Sequence, residues 1–216
     1  MKSDRAGFSR LARAYHALEY LAFGSDLERA RFAYLDRLAG CSDVLLLGEG
    51  DGRCAERLAV LAPRARITCV DKSPGMIARA SKRIAATGAA PRVTFTCADA
   101  LHLALPKGGF DGVATLFFLD CFDARGVEDI VARTGDALRP GSPWLFADFA
   151  VPPAGFGRLR ARAWLAVLYR FFRLTAGLQA SGLPPSEQIL GRAGWVRAEC
   201  RDLQRGLLRS AVFRRP

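Results

Sequence analysis

Apolar positions recur at helical spacing over residues 8–23, through Leu11, Tyr15, Leu18 and Leu21, and again over 26–39, through Leu27, Phe32, Leu35 and Leu38. Two helices are therefore predicted ahead of the first strand. Val44-Leu45-Leu46-Leu47 is different: it is a short continuous apolar run ending in glycines, the pattern of a strand buried on both faces by helices. From there the periods alternate. Helix 53–62 leads to strand 66–70, helix 75–86 to strand 92–97, and strand 111–117 is followed by helix 124–138 and strand 144–149. Strand alternating with helix implies an α/β fold with a mostly parallel sheet and helices on both faces, because right-handed crossovers place them there. Turn chemistry agrees, with Asp71-Lys72-Ser73-Pro74 starting one helix and Pro140-Gly141 stopping another.

The pattern changes after Val151. Pro152-Pro153 and Gly155 interrupt the chain, a long helical segment follows from about 156 to 176, and Gly182 to Pro185 read as a turn. Residues 195–203 and 207–214, joined by Gln204-Arg205-Gly206, read as an antiparallel hairpin that completes the sheet. The 216 residues are thus expected to form one domain, 1–216, with an N-terminal helical cap over 1–40 and a helical insertion over 151–192.

Composition narrows the classes. Half the chain is apolar and a quarter charged, which argues for a packed core and against disorder. The longest apolar stretch, Ala163 to Leu178, is interrupted by Arg170 and Arg173, so no transmembrane helix is predicted. Lys2, Asp4, Arg5, Arg10 and Arg13 at the start do not resemble a secretory signal, and a cytoplasmic location is expected. The six cysteines have no Cys-x-x-Cys spacing and no nearby histidine, so no metal site is expected; they read as reduced core thiols.

Charge is uneven along the chain. Residues 1–150 carry 20 basic and 18 acidic side chains, whereas 151–216 carry 12 against 3. A one-sided positive field of this kind attracts anions: an acidic substrate, lipid headgroups or nucleic acid.

The densest chemistry lies after the first strand. Gly48-Glu49-Gly50-Asp51-Gly52 opens a helix, where missing side chains let the backbone approach a ligand closely. A dinucleotide loop reads Gly-x-Gly-x-x-Gly, but here the spacing is Gly-x-Gly-x-Gly with Arg53 at the last position, and two carboxylates beside a pyrophosphate would repel it. A cationic ligand such as S-adenosylmethionine fits an acidic loop better. Asp71 ends the second strand, 21 residues after Gly50, where a carboxylate can accept both hydroxyls of a ribose. Asp99 ends the third, placed to accept from an adenine amino group while the Ala100 nitrogen reads the ring. Each acid could equally be a helix cap.

Together, Val44 to Gly52, Val70-Asp71-Lys72-Ser73-Pro74-Gly75-Met76, Ala98-Asp99-Ala100, Phe110-Asp111-Gly112-Val113 and Leu138-Arg139-Pro140-Gly141 resemble the successive motifs of the class I S-adenosylmethionine-dependent methyltransferases, small-molecule type. The resemblance covers roughly residues 40–150 and implies a Rossmann-like doubly wound sheet. It further implies that Gly48, Gly50 and Gly52 contact the methionine portion, Asp71 the ribose, Met76 packs near the adenine and Asp99 with Ala100 reads it; Glu49, Lys72 and Leu116 are further candidate cofactor contacts. Leu46 departs from the pattern: the family often has an acid there, which helps hold the amino-acid end, and Glu49 is expected to substitute in part.

Methyl transfer from a sulfonium needs alignment and exclusion of water more than a dedicated nucleophile, so the acceptor is harder to read. The segment Leu116-Phe117-Phe118-Leu119-Asp120-Cys121 is an apolar lip, unlike the polar segment used to hold a flipped base. Tyr15, Tyr20, Phe118, Cys121, Trp164 and Phe171 are candidate acceptor contacts, and His16 and Asp120 candidate acid–base groups, with Asp148 a further possibility. The expectation is methyl transfer to a small, apolar or lipid-like acceptor. Alternatives are a nicotinamide oxidoreductase, which the loop spacing opposes, and an RNA-modifying or RNA-binding protein using the basic C-terminal third. Peripheral membrane contact through the arginine-bearing helix is another use of the same charge.

Overall fold

The structure, a computed structural model, describes residues 25–152, 154–176 and 182–216, giving backbone alone at residues 156 and 167–176. A seven-stranded sheet runs β3-β2-β1-β4-β5-β7-β6, built from β1 (Asp43–Leu47), β2 (Arg66–Asp71), β3 (Val93–Cys97), β4 (Gly112–Leu116), β5 (Pro143–Phe149), β6 (Val196–Leu203) and β7 (Leu208–Arg214). The first five strands are parallel, while β7 runs antiparallel to both β5 and β6. This is the predicted Rossmann-like, doubly wound α/β fold with its C-terminal hairpin.

β1 shows why the apolar run was continuous. All five of its residues are buried. Val44 and Leu46 pack on one face with Leu58 and Ile84, from helices α2 (Arg53–Leu61) and α3 (Pro74–Ala85). Leu45 and Leu47 pack on the other with Val127, Ile130 and Val131 of α4 (Ala124–Ala137). Two-residue periodicity therefore supplies two cores from one strand. A third cluster covers the far end of the sheet, where Leu27 and Ala30 of α1 (Asp26–Phe32) meet Phe149, Leu207, Leu208, and Ala161 and Leu165 of α5 (Gly155–Ala176).

Some expectations are corrected. The helix predicted over 26–39 ends at Phe32, and Leu35–Leu38 form a separate 3₁₀ turn. Tyr34 leaves helical geometry at φ −129°, and the i,i+3 pair Leu35 and Leu38 turns into the core, a spacing that 3₁₀ and α geometry share. A further short helix, α6 (Ser186–Arg192), follows the Gly182–Pro185 turn. Only Cys54 and Cys69 are buried thiols; Cys41 is half-buried, and Cys97, Cys121 and Cys200 are exposed. Cys97 and Cys200 lie on β3 and β6, the two edge strands, where at most one residue of the strand is buried.

Candidate functional site

Strand order reverses between β1 and β4, and the crevice outside the carboxyl ends of strands at such a point is where open α/β sheets bind ligands. A cleft of about 220 Å³ opens there, with Leu46, Gly48, Glu49, Gly50, Met76, Leu116, Phe117 and Arg31 among the residues of its wall.

The loop between β1 and α2 is held from below. The Gly48 and Glu49 nitrogens donate to Val70 O at 2.8 and 3.3 Å. Gly48, Gly50 and Gly52 have φ of +69°, +67° and +90°, a region open to glycine and strained for other residues. Two of them are also tight packing points: a Cβ on Gly48 would fall 2.2 Å from Phe118 Cδ2, and one on Gly52 2.7 Å from Ala80 Cα. Gly50 has no atom within 4 Å of that position, so its backbone is open to the cleft.

Asp71 ties the loop to β2. Its Oδ2 accepts from Gly50 N at 2.9 Å and its Oδ1 from Ser73 N at 2.8 Å, where Ser73 caps α3 through Met76 N. Asp99 and Lys72 form a pair at 2.9 Å, and Asp99 also accepts from Leu101 N at 3.0 Å. The Lys72 hydrogen bond first, then that of Leu101 N, hold the Asp99 carboxyl below its usual range. Lys72 is mostly solvent-exposed. Gly52, Asp71, Lys72, Asp99 and Ala100 are not among the residues lining that cleft, and Asp71 reaches its wall through Gly50 N.

The two acids of the loop are not a bare negative patch. Asp51 accepts from Arg53 Nε at 3.1 Å on each oxygen and from Arg83 Nη2 at 3.3 Å. Burial works against its ionisation, but the arginines outweigh it and the carboxyl titrates below its usual range. Glu49 turns inward to cap α2, its Oε1 accepting from Ala55 N at 2.9 Å. Burial pushes its carboxyl up to about 8, against the opposing pull of Ala55 N–H and of Arg31. It is therefore largely protonated at neutral pH, and a cation arriving beside it would favour its ionised form.

At the end of β4, Phe117 takes a left-handed backbone, φ +56°, with its nitrogen donating to Ala147 O at 2.7 Å. Its ring meets Phe149 edge-on at 5.5 Å. Phe118 lies behind the glycine loop rather than in the cleft, edge-on to Phe122 at 5.0 Å. Asp120 N donates to Asp148 Oδ2 at 3.1 Å, and Asp148 Oδ1 accepts from Phe149 N at 2.9 Å. Burial of Asp148, and after it the neighbouring Asp120 carboxyl, push the Asp148 acid far above its usual range. Cys121 is exposed beside Asp120, Sγ 3.6 Å from Oδ1.

Trp164 is 40% exposed on α5. Tyr15, His16 and Tyr20 lie outside the described residues, as does the Phe171 side chain. Asp111, quoted among the motifs, sits at the opposite end of β4, where its carboxylate accepts from Ser42 N and Asp43 N at 2.7–3.0 Å and pins the start of β1. Its work is structural. Arg31 and the strained Phe117 are the features of the cleft that motif reading missed; no local pattern links a helix before β1 to the end of β4.

Residues 44–141 match the family described as Methyltransferase domain, and the chain belongs to the class I S-adenosylmethionine-dependent methyltransferase superfamily. It is 34% identical over 150 residues to a demethylmenaquinone methyltransferase of Thermus thermophilus, covering 68% of this chain and 66% of the relative. It is 29% identical over 159 residues to the ubiquinone/menaquinone biosynthesis C-methyltransferase UbiE of Paracoccus denitrificans, covering 70% and 63%. The chain thus spans a little under two thirds of the length of these curated relatives. In fold it resembles the N-methyltransferase NodS of Bradyrhizobium japonicum in complex with S-adenosylhomocysteine, with a TM-score of 0.63, 20% identity and 88% of each chain covered.

Proposed function

We propose that this chain transfers a methyl group from S-adenosylmethionine to a small, apolar or lipid-like acceptor. The observation that carries the reading is the cleft at the β1–β4 reversal, with an open Gly50 backbone and the inward carboxyl of Glu49 in its wall. Those residues fit the donor: Glu49 suits its ammonium, Leu46, Met76, Leu116 and Phe117 suit its apolar surfaces, and Asp71 at the end of β2 suits the ribose. A diphosphate would need the N–H groups of the loop, and those of Gly48, Glu49 and Gly50 are already donated to Val70 O and Asp71.

The bound donor would supply an electrophilic methyl on sulfur. The chain's own part is to bind and orient it and to exclude water. Asp99 and Ala100 are assigned to the adenine. Asp120, hydrogen-bonded through its nitrogen to the buried Asp148, is assigned to take a proton from the acceptor, with His16 as the other candidate. Segments 1–40 and 151–192 are assigned as the cover over the acceptor, which brings in Tyr15, Tyr20, Trp164 and Phe171. The quinone-pathway relatives favour an apolar ring as that acceptor. No described helix is long and apolar enough to cross a membrane.

An RNA-directed role has weaker support. Arg197 and Arg209 of the basic C-terminal third are ion-paired with Glu187 at 2.7 and 2.9 Å, and Arg209 also with Asp202 at 2.6 Å. Calorimetry with S-adenosylhomocysteine, followed by incubation with labelled S-adenosylmethionine and a lipid extract, tests the reading. Micromolar binding and label in an apolar product are expected; absence of binding at hundreds of micromolar refutes it.

A further inference from the structure

Two arginines stand in the wall of the cleft, Arg31 from α1 and Arg53 from α2. Arg53 is committed to Asp51, Nε at 3.1 Å from both oxygens. Arg31 has no hydrogen-bonded or ion-paired partner among the described residues. Its guanidinium carbon lies 5.6 Å from the centroid of the Phe117 ring, a cation–π contact that leaves the guanidinium N–H donors unused.

Its placement is deliberate in physical terms. α1 is anchored just ahead of Arg31: Leu27 and Ala30 are buried against Leu207 and Leu208, and Asp26 accepts from Gln204 Nε2 at 3.1 Å. The ring beneath the guanidinium belongs to the residue held at φ +56°, a conformation that costs a non-glycine residue about 1–2 kcal/mol and persists where surroundings enforce it. Arg31 also acts electrostatically on Glu49 and Asp51. A half-buried, hydrogen-bond-free guanidinium beside an inward carboxyl is half of a recognition site for a group carrying both charges.

The donor's amino-acid arm is such a group, with an ammonium and a carboxylate on one carbon. Leu46 offers the ammonium nothing, which leaves Glu49; and with Arg53 committed to Asp51, Arg31 is the cation of the wall with donors to spare for the carboxylate. We propose that Arg31 binds the α-carboxylate of the amino-acid arm of S-adenosylmethionine, with Glu49 taking the adjacent ammonium. This rests on the methyltransferase reading above. α1 thereby acts as the clamp that distinguishes a complete donor from one lacking the carboxylate.

The test compares S-adenosylmethionine with its decarboxylated form, which keeps the adenosine, sulfonium and ammonium, by calorimetry on wild type, Arg31→Leu and Arg31→Lys. Wild type should prefer the complete donor by about 10- to 100-fold, the range expected of a charge-assisted hydrogen-bonded pair. Arg31→Leu should lose that preference by weakening the complete donor alone, and Arg31→Lys should restore part of it. Equal weakening of both ligands in Arg31→Leu overturns the inference, since Arg31 would then only support the wall. Wild type binding both ligands equally overturns it without recourse to any variant. Wild type binding neither overturns the cofactor reading itself, and the inference with it.

Discussion

Glu49 is a carboxyl whose ionisation the fold opposes, and replacing it with glutamine should reveal by how much. In the folded chain it titrates at about 8, against an ordinary 4.5, chiefly because it is buried. A folded-state value above the unfolded one means the folded chain retains a proton that the unfolded chain releases. The associated stability is fully present below about pH 4.5 and is lost as pH rises through 8. At 1.36 kcal/mol for each pH unit between the two values, the loss is on the order of 5 kcal/mol once the group is ionised. Glutamine mimics the protonated acid, can still accept from Ala55 N, and has no proton to lose. Urea unfolding of wild type and Glu49→Gln at pH 5, 7 and 9 should therefore show near-equal stability at pH 5 and a variant more stable by several kcal/mol at pH 9. Titrations elsewhere, Asp148 included, cancel in the difference. A gap that is the same at pH 5 and pH 9 refutes the reasoning.

Binding of S-adenosylhomocysteine at pH 7 should release a proton as its ammonium draws Glu49 into the ionised form, visible as a buffer-dependent heat in calorimetry that Glu49→Gln abolishes. Asp71→Ala removes the acceptor for Gly50 N and Ser73 N, and should weaken that binding by about 10- to 100-fold while lowering stability by about 2 kcal/mol; unchanged affinity would overturn the ribose assignment. Gly48→Ala adds a left-handed backbone penalty and a collision with Phe118, and should destabilise by about 2–4 kcal/mol in urea unfolding.

The sheet was legible because its central strands obey a strict rule. A run such as Val44–Leu47 has no exposed position and fits nothing but a strand covered on both sides, and the glycines after it mark a turn that other residues enter only under strain. Legibility failed where tertiary contact chose between local options. The apolar spacing of 26–39 is satisfied by one helix or by a helix plus a 3₁₀ turn, and burial of Leu35 and Leu38 selects the second. α6 is seven residues long, too short for periodicity to register, and its identity comes from Ile189 and Leu190 docking against the β5 side of the sheet. In the site, Glu49, Gly50, Met76 and Leu116 could be read from motifs because each sits at a strand end, in the glycine turn or in the capped first turn of a helix. Asp51 could be identified but not its neutralisation, which depends on Arg83 from the next helix. Arg31 could not be read at all, since its partner surface is assembled from segments more than eighty residues apart.

The ring of Phe118 occupies the volume that any side chain at residue 48 would require. The turn that receives the donor and the strand end assigned to the acceptor are for this reason mechanically interlocked. Variants that reshape residues 117–121 to admit a new acceptor must keep an aromatic at 118 or leave the turn unsupported. Diversification is steered instead toward the long helix α5, whose exposed Leu159 and Trp164 can change without disturbing the turn. Related chains with different acceptors should accordingly diverge first on that helix and last at residues 48 and 118.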